Sequence, residues 1–157
     1  MKTLTDFLKE QAEQQQSQAG QREAKRVEWV QSVERLIRQL QEWLHEADTP
    51  GVLRVTVQPH TVREQSIGGY EAPSLTIGLG SREVRVLPVA RDVVGSIGDP
   101  GFRAQGLVDL TDSAFKYLLY RRLDDRGERW VIVDDRDYSV QPLDRTTFEG
   151  ALLSLLA

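Results

Sequence analysis

The chain has 157 residues, 20 Lys and Arg against 24 Asp and Glu, a net charge of −4 and no cysteine. That length suits one domain, which buries roughly two thirds of the surface its unfolded chain exposes. The absence of cysteine removes disulfides, thiolate zinc sites, iron–sulfur clusters and cysteine nucleophiles, and the acidic balance lacks the basic field usual in nucleic-acid binders.

From Thr3 to about Ala47 the residues are strong helix formers, with no proline and Gly20 as the one expected breaker. Leu4, Phe7, Leu8 and Ala12 share one face, and Thr3 or Thr5 is placed to cap the start. The stretch QAEQQQSQAGQ that follows has almost nothing apolar to bury, so a flexible joint is expected there, dividing a helical arm with a Gln-rich linker (1–20) from a single α+β domain (21–157). The next part is strongly periodic: Val30, Val33, Ile37, Leu40, Leu44 and Ala47 repeat in steps of three and four, flanked by Trp29, Leu36 and Trp43. Two readings of this stripe are open. It packs on the chain's own sheet, or it also pairs with another protein through Trp29, Val33, Leu36, Ile37, Leu40 and Trp43.

Pro50 and Gly51 end the helical pattern and the period switches to two. Leu53, Val55 and Val57 alternate with polar residues until Pro59, which reads as an interruption, with Thr61 to Ser66 as edge strand or loop and residues 67–73, IGGYEAP, as a turn region. Leu75, Ile77 and Leu79, the pair Gly80-Ser81, then Val84 and Val86 predict a hairpin. Residues 95–106, glycine-rich with Pro100, predict a long loop. After it come GLVDL (106–110), a second hairpin from Phe115 to Asp134 around the DDRG turn with Leu123 beside Trp130 and Leu119 beside Asp134, and a strand at Ser139 to Leu143. Thr146 and Glu149 suggest a capping box for a final helix carrying Phe148, Leu152, Leu155 and Leu156. The predicted fold class is α+β: a long N-terminal helix, either continuous or broken near Gly20, an antiparallel sheet of about five to seven strands, and a short C-terminal helix.

The segment WVIVDDRDYSV raises the question of chemistry. Asp134, Asp135 and Asp137 lie at the end of the second hairpin that Asp109 and Asp112 could also reach, and a hard cation needs several such oxygens within about 2.5 Å. The spacing matches no calcium loop and Arg136 sits among them, so the expectation is turn aspartates and no bound metal, with a metal-dependent hydrolase as the third-ranked function. Neither histidine belongs to a catalytic arrangement: His45 lies among acids at a helix C-terminus and His60 follows Pro59. No serine sits in a glycine elbow, and SIGDPG (96–101) lacks the Lys-Ser/Thr of a phosphate loop. No catalytic residue and no cofactor is expected. Arg82, Arg85, Arg121 and Arg122 on the two hairpins are the candidates for a nucleic-acid contact, which would require them to form one stripe.

In the second hairpin both faces are apolar, Leu119 and Ile132 on one side, Leu118, Tyr120, Val131 and Val133 on the other, and two helices cover only one. The second face therefore calls for another layer or another chain. The function expected on these grounds is a non-enzymatic protein–protein interaction or assembly module, self-associating or binding a protein partner. The alternative is a nucleic-acid-associated accessory protein. No apolar run reaches a membrane span, and MKTLTDFLKEQ carries Asp6 and Glu10 where a signal peptide needs an apolar core, so a cytoplasmic chain without membrane contact is expected.

Overall fold

The computed structural model describes residues 1–93 and 104–157 of the chain. The expected glycine-rich loop, with SIGDPG, falls outside the described residues except for Ala104 to Gly106. Among the described residues the order is α1 (Leu4–Ala47), β1 (Arg54–Glu64), β2 (Gly68–Leu79), β3 (Arg82–Ala90), β4 (Leu107–Thr111), β5 (Lys116–Asp124), β6 (Gly127–Asp134), β7 (Val140–Pro142) and α2 (Arg145–Leu156). The strands form one antiparallel sheet in sequence order, so every neighbour in the chain is a neighbour in the sheet and β1 and β7 are its edges. The α+β class is as predicted, with a long N-terminal helix, an antiparallel sheet and a short C-terminal helix.

Helix α1 runs unbroken through Gly20, against the joint expected there. A single exposed glycine costs a helix about 1 kcal/mol relative to alanine. Between Asp6 and Arg26 there is no β-branched residue, so the neighbouring propensities carry the helix across it. Thr3 caps the start, its hydroxyl accepting from the Asp6 N–H at 3.2 Å while the Asp6 carboxylate accepts from the Thr3 N–H. At the other end the Asp48 carboxylate accepts from the N–H groups of Val52 (3.0 Å) and Leu53 (2.9 Å), which turns the chain into β1 and holds that carboxyl below its usual pKa.

One face of the sheet carries the core. Leu75, Ile77, Val84, Val86, Val108, Leu110, Leu119 and Ile132 pack beneath Trp29, Val33, Leu36, Ile37, Leu40 and Leu44 of α1 and Phe148, Ala151, Leu152 and Leu155 of α2. Each fully buried aliphatic or aromatic side chain contributes on the order of 1.5–3 kcal/mol. The second face is not bare: Tyr120 and Val133 are buried with Ala104, and Val93, Leu107, Leu118 and Val131 pack against them. Part of the second layer expected there thus comes from the chain itself.

Three local expectations are corrected. Pro59 does not interrupt a strand; β1 passes through it, and residues 68–73 of the expected turn are the start of β2. Pro59 pairs with Pro73 at a place where, among the described residues, β1 has no outer neighbour and β2 pairs only with β1, so no third strand there needs the N–H that either proline lacks. The second hairpin closes with Asp124 opposite Gly127, a two-residue turn that puts Arg121 beside Trp130 and Leu119 beside Ile132. The shift from the expected register is an even number of residues, so each side chain keeps its face. Helix α2 starts earlier than the Thr146 box implied: Asp144 is the N-cap and exchanges hydrogen bonds with Thr147 (2.8 and 2.9 Å), while Glu149 pairs with Arg145.

Candidate interaction surfaces

The stripe of α1 divides by position along the helix. Trp29, Val33, Leu36, Ile37 and Leu40 lie in the chain's own core and Trp43 is half-buried against Phe148, their ring centroids 5.9 Å apart. Of the two readings open for these residues, the geometry has the intramolecular one: a side chain sealed under the sheet offers no surface to a partner, and only Trp43 and the edge of Leu36 reach a groove among the described residues, shared with Arg35, Gln39, Trp130 and Leu143.

The N-terminal half of the same helix has no such cover among the described residues. Its residues to Lys25 are exposed apart from Gln11, which is partly so, and the first tertiary hydrogen bond from α1 is that of Arg26, whose Nη1 donates to the Ile67 carbonyl at 2.5 Å. At 1.5 Å per residue, Leu4 to Lys25 extends about 33 Å. Leu4, Phe7 and Leu8 at its tip are 71 %, 45 % and 55 % exposed. At about 100° per residue they fall in the sector of α1 that, further along, holds Val33, Ile37 and Leu40 against the sheet. The helix thus carries one apolar face that is covered at one end and open at the other.

Where the arm meets the domain there is a polar knot. Arg121 of β5 is wholly buried, its guanidinium 4.8 Å from the Trp29 ring. Its Nη1 donates to the Glu28 carboxylate (2.7 Å) and more weakly to Glu128 (3.4 Å), and its Nε to the Gln105 carbonyl (2.8 Å). Ser32 hydrogen-bonds Glu128, so both carboxylates tie α1 to the β5–β6 hairpin. On the other flank Trp29 Nε1 donates to the Tyr70 hydroxyl (3.0 Å), which donates to Glu64, whose carboxylate also accepts the N–H groups of Arg91 and Asp92. Burial, and then the Glu64 carboxylate, push the Tyr70 phenol far above its ordinary pKa. The knot was missed in sequence although its signal was present: Arg121 shares the parity of Tyr117 and Leu119, which places it on the helix-covered face.

The aspartates do not converge. Asp109 and Asp134 lie on opposite faces, in line with Leu118 and Tyr117 respectively. Asp112 accepts from the N–H groups of Ala114 and Phe115 (2.9 and 2.7 Å), Asp134 from the N–H and side chain of Arg136 (2.9 to 3.1 Å) and Asp137 from the Ser139 N–H (3.0 Å), so each closes its own turn. The Arg136 side chain holds Asp134, and the Phe115 N–H holds Asp112, below the usual carboxylate range. Asp135 stands near Asp109, whose carboxyl is raised by burial first and by Asp135 in addition, with Lys116 opposing. Among the described residues no three His, Asp or Glu side chains are grouped to hold a metal ion.

The four arginines do not form one stripe. Arg82 donates to the Ala157 carbonyl, Arg85 pairs with Glu83 at 3.4 Å, Arg121 is interior, and Arg122 lies on the opposite face with Asp124 3.6 Å away. No helix among the described residues is long and apolar enough to cross a membrane. In comparisons with protein-family models, curated proteins and solved structures, the chain matches none.

Proposed function

We propose that this chain is a non-enzymatic protein–protein interaction module of the cytoplasm, in which the sheet and α2 hold one end of α1 and the other end engages a protein partner. The observation that carries this is the uncovered N-terminal half of α1. Isolated helices are marginal in water, and most helical stability in proteins comes from packing an apolar face. Here good helix formers extend about 33 Å beyond any core, and the only large apolar residues on that length, Leu4, Phe7 and Leu8, stand at i, i+3 and i+4 at its far end. That spacing is the one by which an amphipathic helix seats in an apolar groove. The polar knot at Arg121 suits the same role, since an arm that transmits load or position needs a fixed root.

A photo-reactive amino acid placed at Phe7 of the full chain, expressed in its own cells, tests the reading. The expected result is one discrete adduct with a protein, absent when the probe sits at exposed Arg38 on the domain side of the helix. Equal adducts from both positions, or none at Phe7, would refute it. An adduct of twice the chain's mass identifies the partner as a second copy.

A further inference from the structure

We propose that two copies of this chain pair through their β1 edges, antiparallel about a two-fold axis at Thr56, to make one continuous sheet. The two edges of the sheet are protected unequally. Strand β7 is short, ends at Pro142 and leads at once into α2, whereas β1 runs from Arg54 to Glu64 with no strand beyond it among the described residues. Long bare edges template further pairing unless charge, proline or cover blunts them. The one charge in the first half of β1 is withdrawn: Arg54 folds back over Gly78 and donates to the Gly80 carbonyl at 2.6 Å.

The direction of the free backbone groups follows from the prolines. Pro59 and Pro73 face each other without an N–H between them, so theirs is not the hydrogen-bonded type of pair, and the groups of neighbouring Gln58 point towards β2, where its carbonyl also accepts from Ser74 Oγ at 2.9 Å. By alternation Val55 and Val57 direct their N–H and C=O groups outwards. A second β1, antiparallel and centred on Thr56, sets Val55 against Val57 of the other copy at both symmetry-related positions, each pair exchanging both of its ladder bonds.

The side chains agree with that register. On the helix-covered side the edge presents Leu53, Val55, Val57 and Pro59, with Val55 and Val57 38 % and 44 % exposed. The two-fold matches Leu53 with Pro59 and Val55 with Val57, so apolar meets apolar throughout. On the other side Thr56 meets Thr56 and Arg54 meets Gln58, with no like charges opposed. An isologous contact of this kind closes on itself as a dimer rather than growing into a fibre. It uses none of the arm's residues and stands apart from the arm's proposed role.

Because the chain has no cysteine, the axis can be tested directly. In Thr56→Cys the paired Cα atoms would lie roughly 4.5 Å apart, a non-hydrogen-bonded site within reach of a disulfide. In Gln58→Cys, exposed on the same side, they would be about 14 Å apart at the usual strand rise. The expected result is rapid dimer cross-linking of the first under mild oxidation and none of the second. Sedimentation of the full chain should show a reversible dimer. Val57→Pro removes an outward donor from both symmetry-related pairs and should weaken it about 100-fold, roughly tenfold per bond, with the melting temperature little changed. Val57→Lys does the same by charge should the proline unfold the strand. A wild-type chain monomeric at every concentration, equal cross-linking of both cysteine variants, or a monomer that takes up an unrelated extended peptide at this edge would overturn the proposal. So would a dimer lost in Leu4→Gln/Phe7→Gln/Leu8→Gln and kept in Val57→Pro, which would move self-association to the arm.

Discussion

Replacing Glu28 and Glu128 together by glutamine is expected to destabilise the protein more than replacing Arg121 by methionine. The guanidinium is 0 % exposed, while the side chains of Glu28 and Glu128 are 40 % and 21 % exposed. Arginine does not shed its proton in proteins, so without its two acids it remains a buried cation facing the Gln105 carbonyl and the Trp29 ring. A buried charge left without its partner costs about 3–5 kcal/mol. In Arg121→Met the order is reversed: methionine fills most of the volume beside Trp29, and both carboxylates turn towards water they already partly reach. What is lost is charge-assisted hydrogen bonding and the cation–π contact, together about 1–2 kcal/mol. A domain of this size loses about 2–4 °C in Tm per kcal/mol, so the expected falls are roughly 6–20 °C for Glu28→Gln/Glu128→Gln and 2–8 °C for Arg121→Met. Thermal and urea unfolding of the two variants beside the wild type measure the difference. An Arg121→Met protein at least as unstable as the double glutamine variant would show that the acids, not the cation, are the strained members of the knot.

Gly106→Ala should cost about 1–3 kcal/mol by overpacking, because its new Cβ would run into Cζ3 and Cη2 of the Trp29 ring; Trp29→Phe in the same chain should recover part of the loss, and no recovery in the melting temperature would mean that the backbone and not the ring is responsible. Amide exchange should be fast from Leu4 to Lys25 and slow from Trp29 to Leu44, since only the second segment is covered by the sheet; uniform protection along α1 would contradict an uncovered arm. Asp109→Asn should raise the melting temperature at neutral pH and lose that advantage in acid. Burial raises the Asp109 pKa above its unfolded value of 3.8 and its Oδ1 is buried without a hydrogen-bond partner among the described residues, so the wild type is least penalised below the unfolded pKa and loses stability as pH rises through the folded one. A variant whose gain persists unchanged at pH 3 would rule out the carboxylate charge as the cause.

Local periodicity by itself determined most of the elements. The three-and-four spacing from Val30 to Leu44, the alternation around Gly80-Ser81 and the apolar set ending at Leu156 each report which face of a segment is buried, and a hydrophobic face needs no knowledge of what covers it. For the same reason the faces of the second hairpin survived an error in its register, because an even slip leaves parity untouched. Periodicity could not say what covered each face. The stripe at Trp29 to Trp43 reads the same whether a sheet or a second protein lies on it, and only the packing of α1 on β2 to β6 assigned it to the interior. Pro59 and Gly20 were misread because their local cost is real, yet one is spent where β1 needs no donor and the other within a run of good helix formers. Arg121 looked like one of several surface arginines until the hairpin's register set it beneath Trp29 with Glu28 and Glu128, groups more than ninety residues apart in the chain or across a turn. Such pairings depend on which elements become neighbours, and that is decided by burial summed over the whole sheet rather than by any stretch of residues along it.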